Sequence, residues 1–187
     1  MTPEQLTQFL TSLANTLNLY VRDQWPRTAR DESLRFIDNN FRTQGYNGAS
    51  FQPWKKNSTN TTILVKSGDL RRGNHGDALP YEAYMYNNVA YAKAHNEGFV
   101  GRVKVKAHSR SHYREEQIGT GRYTKSGKER TKKVHVLDRT TDVKEYYRQM
   151  NITKRQFMPI TPDDAPSLLN DIASQTEKDL IQILKKA

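Results

Sequence analysis

The chain has 187 residues, with thirty Lys and Arg against twenty Asp and Glu, a formal charge of +10. That length favours one domain over 1–187, able to bury roughly 70% of its unfolded surface. There is no Cys, which excludes a disulfide scaffold, a Cys-ligated metal and a thiol nucleophile.

The apolar run Val89–Ala92 is only four residues long, and no longer one occurs, so no segment is expected to cross a bilayer. The N-terminus lacks the basic and apolar regions of a secretory signal, and the expectation is a soluble protein made in a reducing compartment.

Thr2-Pro3-Glu4-Gln5 reads as a capping box. Leu6, Phe9, Leu10, Leu13, Leu17 and Val21 follow at helical spacing and predict a helix to about Arg22, with Pro26 breaking or kinking it. Leu34, Ile37 and Phe41 predict a second helix that stops near Gly45. Residues 45–62 read as a loop pinned to the core by Phe51 and Trp54. Ile63-Leu64-Val65 predicts a short buried strand turned by Ser67-Gly68. Residues 71–80 read as a polar connection. Tyr81–Asn88 alternates and predicts a half-buried strand. Val89–Glu97 predicts a short helix with Gly98 as its left-handed cap. Asp142–Met150 reads as a short helix, and Arg155–Met158 as a strand ended by Pro159. Thr161 is the expected cap of a last helix lined by Leu169, Ile172, Ala173, Leu180, Ile183 and Leu184. The predicted fold class is α+β: two N-terminal helices and a long C-terminal helix on a small, mainly antiparallel sheet, with an inserted basic β-hairpin.

That insertion, residues 101–148, holds fourteen Lys and Arg and six Asp and Glu, leaving sixteen against fourteen for the rest. One segment therefore makes the protein basic. Arg102–His108 and Lys133–Val136 alternate and read as two paired arms. Val103, Val105, Val134 and Val136 would share one face. Arg102, Lys104, Lys106, His108, Lys133 and His135 would share the other. Between them, 109–131 has Ile118 as its only aliphatic residue and is expected to be mobile. The candidate contacts for DNA or an acidic partner are Arg102, Lys104, Lys106, Arg110, Arg114, Arg122, Lys125, Lys128, Arg130, Lys132 and Lys133. Tyr113 and Tyr123 could add stacking to a nucleic acid. The plain alternative is a solvated loop with no partner, and charge alone does not decide between them.

Nothing in the sequence supports an enzyme or a cofactor. Gly121 to Gly127-Lys128 has the wrong spacing for a phosphate-binding loop, and Glu129 stands where a magnesium-binding hydroxyl belongs. His108, His112 and Glu115 have zinc-ligand spacing for a helix, but the stretch between them is not helix-like. His95 reads as a packed or capping histidine, and no Ser sits in a nucleophile elbow.

Four blocks in order resemble the phage virion morphogenesis family, the tail-completion or neck proteins of tailed bacteriophages. They are the N-terminal helices ending at Gly45 with Phe51-Gln52-Pro53-Trp54; Ile63 to Arg71; Val89 to Gly98; and Arg155-Gln156-Phe157-Met158-Pro159-Ile160 with the C-terminal helix. Ile152-Thr153-Lys154 departs from the family where a Pro often stands, and the basic insertion is a second departure. Within the blocks Trp54, Gly68, Leu70, Tyr91, His95, Gly98, Arg155 and Phe157 read as structural, not catalytic. The resemblance implies a non-enzymatic virion protein, made in the host cytoplasm, that forms a sixfold homo-oligomeric ring at the head–tail junction. Its implied partners are its own copies, neighbouring head-completion, tail-terminator or tail-tube proteins, and DNA in the channel, with no membrane. The alternative is a sequence-nonspecific nucleic-acid-binding protein.

Overall fold

The capping box forms at the start of α1 (Pro3–Leu19): the Gln5 amide donates to Thr2 Oγ1 at 3.2 Å, and the Thr2 amide donates to Gln5 Oε1 at 2.8 Å. The computed structural model of the chain describes residues 2–57 and 61–186. It divides into two units, Met1–Phe99 with Ile152–Ala187, and Val100–Asn151.

In the first unit, α1 does not end at a proline break. A π-helical turn, Tyr20–Gln24, carries it directly into α2 (Trp25–Thr43). Pro26 lies in the first turn of α2 and has no N–H to offer the Arg22 carbonyl. That carbonyl accepts from the Tyr81 amide instead, at 3.0 Å. The extra residue of the π turn makes the adjustment that the sequence assigns to the proline. Helix α1 buries no residue, and Leu6, Leu10 and Val21 are exposed. Helix α2 is the centre of the unit. It buries Ile37 and Phe41 as expected, and also Ala29, Ser33, Phe36 and Asn40, whereas Leu34 is only half-buried.

Residues 45–53, read as loop, contain an antiparallel pair, β1 (Gly45–Asn47) and β2 (Phe51–Pro53). Trp54 pins this segment, edge-on to Phe41 at 5.5 Å, but Phe51 is exposed. Residues 58–60 of the same stretch lie outside the described residues. Ile63–Val65 is not a strand, and Leu64 has φ 59°. At Ile63 the Gln44 side chain takes the place of a partner strand. Its Oε1 accepts from the Ile63 amide at 2.6 Å and its Nε2 donates to the Ile63 carbonyl at 3.3 Å.

Gly68, at φ 77°, starts α3 (Asp69–Arg72), which delivers Leu70 to the core. The polar connection after it is a strand, β3 (Asn74–Leu79), antiparallel to β4 (Glu82–Asn87) with Gly76 opposite Met85. In β4 Ala83 and Met85 are half-buried while Tyr84 and Tyr86 face out, as their alternation predicts. Helix α4 (Ala92–Glu97) ends at Gly98, whose φ 83° and ψ 159° are open to glycine but are not the left-handed helical cap expected. Thr161 caps a 3-10 turn, Pro162–Asp164, and α5 (Pro166–Lys186) begins beyond it. Helix α5 buries Leu168, not Leu169, and Ala173 and Leu184 are exposed.

The second unit is built from β5 (Phe99–Val105), β6 (His108–Tyr123), β7 (Glu129–Val143) and β8 (Tyr146–Ile152). Strand β5 hydrogen-bonds with β8, and β6 pairs antiparallel with β7. The expected pairing of Arg102–His108 with Lys133–Val136 is therefore not formed. Arg114, Glu115, Glu116 and Gln117 of β6 stand opposite Val136, His135, Val134 and Lys133. Val103 and Val105 thus share no ladder with Val134 and Val136. Residues 109–131 form strand and turn and are not an unstructured loop, since the ladder satisfies their backbone without a core. Asp142–Met150 is mostly strand and not helix, in keeping with the β-branched and aromatic Val143, Tyr146 and Tyr147. The fold is α+β with antiparallel strands, and the described residues arrange them as four two-stranded sheets and not as one sheet.

Candidate nucleic-acid interface

The four blocks of the first unit meet around Phe157, which is 1% exposed and lies 5.1 Å from the Phe41 ring. Residues 155–158 form no strand. Their backbone is held by side chains from the other blocks instead. Trp54 Nε1 donates to the Gln156 carbonyl at 2.8 Å. Asn40, fully buried, donates from Nδ2 to the Phe157 carbonyl at 3.1 Å. Asn96 Oδ1 accepts from the amides of Phe157 and Met158, both at 2.9 Å, and its Nδ2 donates to the Met158 carbonyl at 3.1 Å. The Arg155 amide donates to the His95 carbonyl at 2.8 Å.

The residues singled out in the blocks serve this framework. Burial, and then the charge of Arg155, lower the pKa of His95, so its ring is neutral near pH 7. Its Nδ1 is buried without a hydrogen-bond partner among the described residues, and its ring stands edge-on to Tyr91 at 5.7 Å. Leu70 is buried next to Arg71, whose guanidinium lies 2.6 Å from Asp38 and holds that carboxyl below its ordinary range. Among the described residues no group of three or more His, Asp or Glu is placed to hold a metal, and no helix is long and apolar enough to cross a membrane. His112 and Glu115 lie on opposite faces of β6, because side chains alternate along a strand.

The basic candidates divide by environment. Lys104 pairs with Glu145 at 2.8 Å, Lys133 with Glu115 at 2.9 Å and Arg114 with Glu116 at 2.6 Å. Arg102 lies over the Tyr147 ring at 5.3 Å. Lys106 lies between β5 and β6. Arg122, Lys125 and Lys128 cluster at the turn, which is closed by the Thr124 amide donating to the Lys128 carbonyl at 2.8 Å. Arg110, Arg130 and Lys132 lie along β6 and β7 and form no ion pair among the described residues.

The register sorts these strands into two unlike faces. Residues opposite one another share a face, and neighbours along a strand alternate. One face carries Arg110 opposite Thr141, His112 opposite Arg139, Arg114 opposite Val136, Glu116 opposite Val134 and Ile118 opposite Lys132, with Arg130 two residues from Lys132. Arg110, Arg114, Arg130, Lys132 and Arg139 thus share a face on which Glu116 is the only carboxylate among the paired residues, and Asp138, the extra residue of the bulge, has no partner in the register. The other face carries Tyr113 opposite Leu137, Glu115 opposite His135, Gln117 opposite Lys133 and Tyr123 opposite Glu129, with Asp142 opposite Ser109. Among its paired residues the only Lys or Arg is Lys133. Sequence reasoning missed Arg139, because the predicted arm ended at Val136 whereas β7 runs on to Val143, past a bulge between His112 and Tyr113.

No protein-family model matches the chain, and neither curated proteins nor solved structures give a match.

Proposed function

We propose that the chain is a non-enzymatic structural protein of a tailed bacteriophage, which completes the head–tail junction as a homo-oligomeric ring in the virion. The observation that supports this reading is the closure of the first and third family-like blocks on Phe157 of the fourth through Trp54, Asn40 and Asn96, with Ile63 and Leu70 of the second block in the same core. The blocks act as a scaffold, which suits an assembly protein better than an enzyme. A two-stranded ribbon is marginal alone in water, and neighbouring copies or tail proteins would supply the missing layer over exposed Tyr113 and Leu137. Phage particles grown without this protein should accumulate as DNA-filled heads and separate tails, and the purified protein should restore joining. Normal infectious particles in its absence would overturn the reading. A second reading, a sequence-nonspecific nucleic-acid-binding protein, is favoured by the one-sided charge of the β6–β7 pair.

A further inference from the structure

We infer that the face of β6 and β7 bearing Arg110, Arg114, Arg130, Lys132 and Arg139 is a sequence-independent binding surface for the phosphates of duplex DNA. Sixteen residues of β6 reach roughly 50 Å, the length of about 15 base pairs. A two-stranded ribbon is narrow enough to lie in a major groove. Four of the five cations are arginines, whose planar forks match phosphate oxygens. An interface with a protein is expected to centre on aromatic or other apolar anchors. On these strands the exposed Tyr113, Tyr123 and Leu137 all lie on the opposite face, and Ile118 is the one large apolar side chain exposed on the cationic face. The cationic face has the charge a polyanion needs without an aromatic anchor, and this favours DNA over an acidic protein. The Arg114–Glu116 pair is exposed enough for phosphate to compete for the guanidinium.

DNA passes the ring in the head–tail reading, on which this surface builds, but the test needs only the purified full chain. Binding to a duplex of about 30 base pairs is followed by fluorescence anisotropy between about 50 and 200 mM salt. The face variant is Arg110→Gln, Arg130→Gln, Lys132→Gln and Arg139→Gln. The charge-matched control is Lys106→Gln, Arg122→Gln, Lys125→Gln and Lys128→Gln. Circular dichroism confirms that both variants keep their strands. The face variant should bind roughly tenfold or more weakly at about 100 mM salt, and its log–log salt slope should fall by about 3 to 4, near 0.9 for each phosphate no longer neutralised. The control should stay much closer to the unmodified protein. Equal weakening in both variants, absence of duplex binding, or equally strong binding to polyglutamate would each overturn the inference. None of these results bears on the joining of heads and tails, so the two readings fall separately.

Discussion

Phe157→Ala should destabilise the first unit by about 3–5 kcal/mol, the range for removing a fully buried aromatic side chain. Phe157 is 1% exposed and packs on Phe41. Asn96→Ala should come close to it by a different route. The amides of Phe157 and Met158 both donate to Asn96 Oδ1. The Phe157 amide is buried and the Met158 amide half-buried, and a buried donor left without a partner costs about 1–3 kcal/mol. Urea unfolding of the purified chain measures both effects. Changes under about 1 kcal/mol in both variants would show that the fourth block is not held as described.

Excision of 100–151, with Phe99 and Ile152 joined through a short Gly-Ser linker, should leave the remainder folded while removing duplex binding altogether. The core of the first unit draws on Phe36, Phe41, Trp54, Leu70, Phe157 and Leu168, none of which lies in the excised segment. The chain enters the segment on β5 and leaves it on β8, which are hydrogen-bonded neighbours, so the linker spans a short gap. A cooperative thermal transition in the shortened chain is the expected result. A chain that unfolds without a transition would show that the two units depend on each other for folding.

Much of the helical framework was legible because burial repeats at helical spacing. Ile37 and Phe41 mark α2, and Thr2 with Gln5 marks the start of α1. What could not be read were segments whose backbone is satisfied by distant side chains. Ile63–Val65 and Arg155–Met158 look like strands because they carry apolar residues, yet Gln44, Asn40 and Asn96 take the place of a partner strand. An amide side chain leaves no periodic trace of such a role. In the second unit the alternation was legible within each strand, but the pairing was not. Val103 and Val134 carry the same pattern although they belong to different pairs of strands, and nothing local tells the alternatives apart.

The most direct test of the assembly reading is a reconstruction of the neck of purified phage particles. The expected result is a closed ring of copies of this chain between head and tail, sixfold as the family resemblance implies, joined by one repeated heterologous interface. Particles whose heads and tails are joined but whose necks lack this chain would contradict it.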